Sequence, residues 1–89
     1  MKTSIVHNVE GVDIAVTTKQ TSTFPPVFHI RAEHPSGAFH EHTLTVGDVD
    51  LKKIATLEDA QKALDSARQT CAEMANKKAA LAKLAEQIQ

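Results

Sequence analysis

The sequence predicts an α+β fold in which two β-hairpins form a small antiparallel sheet and one long C-terminal helix follows, the order ββββα. Three observations predict it. β-Branched residues cluster around two turn signals ahead of residue 47, no Gly or Pro occurs after Gly47, and apolar residues recur at helical spacing from Leu57 to Ile88. The 89 residues read as one domain, with the sheet over 1–46, a connector over 47–56 and the helix over 57–89.

The first hairpin is read in "TSIVHNVEGVDIAVTTK", residues 3 to 19, where Asn8 to Gly11 interrupt a run rich in Val, Ile and Thr. "QTSTFPPV" follows, with polar residues and two prolines, and is expected to end strand pairing and serve as a connector. The second hairpin spans Val27 to Val46 around "HPSG". Pro35 suits the first central position of a type I turn and Gly37 the left-handed position after it, so a three-residue loop sets His34 opposite Ala38. That register puts Phe28, Ile30, Ala32, Ala38, His40, His42, Leu44 and Val46 on one face. His29, Arg31, Glu33, Glu41, Thr43 and Thr45 take the other with Val27 and Phe39, the pattern of a sheet covered on one side.

"VDLKKIA" is expected to be a short connecting segment or helical turn. Thr56 then stands as an N-cap, with Glu58 and Asp59 in the first turn of a helix that alanine-rich propensity carries to the end. Leu57, Ala60, Leu64, Ala67, Cys71, Met74, Lys78, Leu81, Ala85 and Ile88 alternate at spacings of three and four, a heptad stripe interrupted by Lys78. A helix this long spans roughly 50 Å, and a strand of about eight residues spans about 26 Å. Unless "MANKKAA" breaks the helix and folds the last turns back, the stripe outreaches the sheet.

A chain this short buries only about 60 to 65% of its unfolded surface, so its stability needs reinforcement. The single cysteine, Cys71, excludes an internal disulfide framework, which leaves a partner chain or a metal. The expected reinforcement is a homodimer, with Leu64, Ala67, Cys71, Met74, Leu81, Leu84 and Ile88 at the contact. Acidic Glu58, Asp59 and Asp65 early in the helix and basic Lys77, Lys78 and Lys83 late in it suit an antiparallel pair, although the helix dipole alone favours the same arrangement.

Function is read mainly by exclusion. Ten Lys and Arg against eleven Asp and Glu provide no field for nucleic acid. Two arginines and three phenylalanines supply neither a phosphate track nor a stacking platform, which leaves only weak binding through Lys77, Lys78 and Lys83. The glycines are taken by turns and form no phosphate loop. Cys71 lies on the apolar stripe, where a buried thiol is the ordinary reading, and no catalytic residue is nominated.

His34, His40 and His42 share one face of the second hairpin and are candidate zinc ligands, with His29 replacing His34 should the loop hold four residues. His-x-His at a turn is nonetheless common, so no metal or other cofactor is the expected state. The first residues lack a secretion signal's apolar run, and no segment approaches the roughly 20 apolar residues of a membrane span. A cytoplasmic setting without membrane partners is the expectation. The chain therefore reads as a non-enzymatic interaction module, a small homodimeric modulator or inhibitor of a larger protein or nucleoprotein. Phe39, Arg31 and Glu41 are nominated as its partner contact.

Overall fold

The computed structural model describes residues 2–23, 25–46 and 56–88, with the Ile88 side chain left aside. Four strands, β1 (Lys2–Val9), β2 (Val12–Thr23), β3 (Pro26–Glu33) and β4 (Phe39–Thr45), form one antiparallel meander in the order β1-β2-β3-β4, and helix α1 (Leu57–Ile88) follows. The ββββα order of an α+β fold is thus present. The expected connecting segment "VDLKKIA", the position of Phe24 and the last helical residue Gln89 lie outside the described residues.

The β1–β2 turn consists of Glu10 and Gly11, both with positive φ at 50° and 81°. Two left-handed residues give a hairpin turn whose twist matches that of the strands. Gly11 adopts this geometry freely, whereas Glu10 carries the steric cost of a Cβ. Asn8 reinforces the turn, its Oδ1 accepting the Gly11 N–H at 3.2 Å. At the other hairpin the expected three-residue loop is present: His34 N–H donates to Ala38 O at 2.8 Å, Gly37 N–H donates to His34 O at 2.9 Å, and Gly37 has φ 98°. The β3–β4 register follows from it, with Ile30 opposite His42 and His29 opposite Thr43.

The stretch from Gln20 to Val27 departs from the sequence expectation. β2 runs on through Thr23, and Ser22 and Thr23 pair with Val27 and Pro26, so most of the expected connector is strand. Two features reconcile pairing with its composition. A register shift between Gln20 and Ser22 absorbs one residue as a bulge. Pro26 turns its carbonyl toward β4, where it accepts the Val46 N–H at 2.9 Å. A strand residue points its N–H and C=O to the same side, so the N–H that proline lacks is not one that β2 would have used.

α1 starts as its cap residue dictates: Thr56 Oγ1 accepts the Asp59 N–H and Thr56 O the Ala60 N–H, both at 3.2 Å. It continues without a break through "MANKKAA" for 32 residues. At 1.5 Å per residue that is about 48 Å, close to the 49 Å long axis of the molecule.

The helix covers one face of the sheet. Ile14, Val16, Ile30 and Ala32 are fully buried against Leu64, Cys71, Ala72 and Ala75. This line differs from the heptad stripe because a straight helix repeats every 3.6 residues, drifting about 20° per heptad relative to 3.5. The covered line moves from Leu64 and Ala67 to Ala72 and Ala75, leaving Met74 half-buried on the flank and Lys78 exposed.

Leu64, Ala67 and Cys71, expected at a dimer contact, are accordingly covered by the chain's own sheet. Past Ala75 the helix outruns the strands, and Leu81 and Leu84 are 65% and 52% exposed.

Replacing the strained residue of the first turn tests its geometry. Glu10→Asn, which tolerates the left-handed region, is expected to stabilise the fold by about 0.5 to 1 kcal/mol. Urea unfolding checks this as a rise in midpoint at constant slope.

Candidate functional site

Two regions of the surface carry side chains that the fold does not use for its core. The first is the uncovered sheet face, where the β3–β4 register sets Arg31 opposite Glu41 and Glu33 opposite Phe39. Alternation along each strand turns all four outward from the helix. The Arg31 guanidinium lies 3.9 Å from the centroid of the Phe39 ring. Its Nε donates to Glu33 Oε1 at 2.8 Å and its Nη1 to Glu41 Oε1. His29 Nε2 is 3.2 Å from Glu41 Oε2, and since a carboxylate only accepts, the imidazole is the donor.

Glu41 is therefore held on both oxygens. Its pKa is lowered, chiefly by the His29 hydrogen bond; desolvation opposes this, and the hydrogen bond and charge of Arg31 add to the lowering. The nominated residues Phe39, Arg31 and Glu41 thus form one cluster. Glu33 and His29 complete it, and for these the register alone was signal enough. The guanidinium is stacked and forked, so its position is fixed in advance of any contact.

The second region is the projecting end of α1. A cleft of about 740 Å³ opens between Asn76, Ala79, Ala80 and Lys83 of the helix and Glu10, His34 and Ser36 at the hairpin tips. The sequence reading missed this cleft, because it depends on how far the helix overruns the turns. Leu81 and Leu84 do not line it. Lys77, Lys78 and Lys83 are exposed along this half of the helix together with Glu73 and Glu86, so the charge there is mixed.

The histidines have separate occupations. His34, His40 and His42 share the helix-side face, as the register requires, but the structure does not bring them together as a metal would. Among the described residues no group of three His, Cys, Asp or Glu side chains is placed to hold an ion. His34 Nδ1 accepts the Ser36 N–H at 3.0 Å and stands 2.8 Å from Ser36 Oγ, closing the turn. His29, the alternative ligand, is on the opposite face with Glu41. His42 is exposed.

His40 is half-buried beneath α1, with Nδ1 buried and without a hydrogen-bond partner. Its pKa is lowered, chiefly by burial and further by the positive charges of Lys78 and His42. Cys71 Sγ donates to His40 O at 3.2 Å and sits 3.8 Å from Ile30 O. Burial raises its pKa, which keeps the thiol protonated and unreactive.

No family model matches the chain, and neither a curated protein nor a solved structure matches it. Among the described residues no helix is long and apolar enough to cross a membrane.

The burial of His40 has a pH signature. An imidazole whose folded pKa lies below its ordinary 6.5 binds its proton more tightly in the unfolded chain. Its contribution to stability is therefore complete above pH 6.5 and is lost as the pH falls from there toward the folded pKa. Thermal melts between pH 7.5 and pH 5 are expected to show this decline, and His40→Gln, which does not titrate, should flatten it.

Proposed function

We propose that the chain is a non-enzymatic interaction module that self-associates through the projecting half of α1 and presents its uncovered sheet face to a larger protein or nucleoprotein, as a modulator or inhibitor. The observation that carries this reading is the exposure of Leu81 and Leu84 on a helix that outruns its sheet. Two leucines moved from water into a contact are worth on the order of 3 kcal/mol, a sizeable share of a small domain's net stability. Most soluble oligomers are symmetric homodimers, and in the C-terminal half of α1 the sheet leaves Met74 half-covered and Leu81 and Leu84 uncovered, while Leu57 is exposed at the opposite end.

The uncovered face adds the second half of the reading. Phe39 is 43% exposed beneath a guanidinium whose carboxylate partners are already in place. An aromatic and an arginine held in one geometry lose little conformational freedom on binding, which is the character of an interface anchor. The neighbouring Thr43 and Thr45 on β4 continue this face with short polar side chains that offer hydrogen bonds. The reading places the protein in the cytoplasm, with no cofactor required.

Light scattering of the purified chain tests self-association. A dimer at micromolar concentration is expected, and Leu81→Glu with Leu84→Glu should weaken it about a hundredfold or more without changing the circular dichroism. A wild-type monomer at that concentration sinks the reading. Phe39→Ala is then expected to abolish capture of the larger partner from cell extract while leaving the dimer intact.

A further inference from the structure

A four-stranded meander has two free edges, and here they differ in kind. On β4 the outer edge carries Glu41, tied to Arg31 and His29, between His40 and His42, on a strand of seven residues. Charged groups on an edge are a usual defence against pairing with another chain.

β1 has no such defence between Thr3 and Val9, where the sequence is Thr-Ser-Ile-Val-His-Asn-Val. It contains no proline, and its register with β2 is unbroken from Lys2↔Lys19 to Val9↔Val12. Ile5 is 39% exposed on the helix side and Val6 66% exposed on the other, so both faces of the strand are apolar at its midpoint.

The hydrogen bonding of β1 fixes which groups are offered. The two-residue turn makes Val9 and Val12 a bonded pair, so Thr3, Ile5, His7 and Val9 bond to β2. Ser4, Val6 and Asn8 then turn their N–H and C=O groups outward.

We infer that β1 is a self-complementary edge that pairs antiparallel with β1 of a second copy and joins two four-stranded sheets into one of eight strands. A two-fold axis at Val6 sets Val6 against its counterpart, Ile5 beside His7 of the second copy, Ser4 beside Asn8 and Thr3 beside Val9. It also brings Lys2 alongside Glu10 of the second copy at both ends. Within one chain Lys2 faces Lys19, a like-charged pair that this arrangement supplies with a carboxylate. β4 paired with itself about Glu41 would instead bring two Glu41 carboxylates together.

This inference rests on the reading that the chain self-associates, and it adds a contact distinct from the helix flank. The helix residues beside β1 include Arg68, which reaches Thr3 Oγ1 at 3.4 Å, Gln69, bonded to His7 at 3.0 Å, and Glu73, but neither Leu81 nor Leu84 bonds it.

Amide hydrogen exchange of the full chain by NMR reads the contact residue by residue. With the edge paired, the Ser4, Val6 and Asn8 amides are expected to exchange about a hundredfold more slowly than those of a free edge and to match Thr3, Ile5 and His7. The outward amides of β4, Glu41 and Thr43, serve as the fast internal standard. Val6→Pro removes one outward N–H that β2 does not use, and Val6→Lys adds an edge charge while keeping the N–H. Both should return Ser4 and Asn8 to fast exchange with the Ile5 and His7 amides still protected, which also shows that the variants fold.

Slow exchange that persists in Leu81→Glu with Leu84→Glu upholds the edge contact whether or not the helix contact holds. Its loss in that variant overturns the edge as an independent contact. A wild-type dimer with fast Ser4, Val6 and Asn8 amides overturns the edge and leaves the helix contact standing, and a wild-type monomer overturns both.

Discussion

The contact on which the rest of the molecule depends is the seating of one straight helix on one face of the sheet through side chains no larger than cysteine at its centre. Cys71, Ala72 and Ala75 let the helix backbone come close to Ile14, Val16 and Ile30, close enough for the Cys71 thiol to reach two strand carbonyls. Small residues on the helix and β-branched residues on the sheet interlock without a deep layer between them. The consequence is a thin core, because close approach limits the apolar area each residue can remove from water. Stability that a thicker core would supply has to come from polar ties across the same contact and from surfaces that meet other chains.

Those polar ties hold the helix on both flanks. Toward β1, Arg68 donates from Nε to Thr18 Oγ1 at 2.9 Å and reaches Thr3 Oγ1 at 3.4 Å, while Nη1 bonds Asp65 one turn earlier at 3.1 Å. Thr18 is buried, and without this donor its hydroxyl would lose a partner inside the contact. Its side-chain stem packs over the sheet while its charge stays near the rim, as long basic side chains do. Toward β3 and β4 the ties are the thiol contacts of Cys71 with Ile30 O and His40 O, with Lys78 next along the helix. Each side also carries a buried imidazole nitrogen without a partner, His7 Nε2 on β1 and His40 Nδ1 on β4.

Much of this was legible where a local rule decides the outcome. Pro35 and Gly37 fix the second turn, and the turn fixes the face of every residue from Val27 to Val46, including the grouping of Phe39, Arg31 and Glu41. Thr56 fixes the start of the helix, and the absence of Gly and Pro after it fixes its length. What local rules could not supply depends on partners distant in sequence. Gln20 to Thr23 read as a connector because their composition is polar, yet β3 offers a ladder and a bulge reconciles the spacing. The heptad stripe read as one surface, yet a sheet of limited length takes only its middle and the helix rotates away from the rest. His40 and His42 share a face by parity, but which of them lies under the helix depends on the crossing of α1 over β4.

The length mismatch and the free edge are different kinds of unfinished surface, and they make different demands on whatever completes them. Apolar contact at Leu81 and Leu84 is non-directional and tolerates many geometries, so by itself it yields association without a fixed register. An exposed strand edge is directional, since each outward N–H must meet a carbonyl at one spacing, and a slip of one residue turns every side chain to the wrong face. Apolar burial therefore contributes affinity in proportion to area, whereas the edge contributes orientation. A chain with a core this thin gains most from an assembly that uses both. The uncovered face with its preset arginine remains outside either contact, because Arg31 and Phe39 project from the side of the sheet opposite α1.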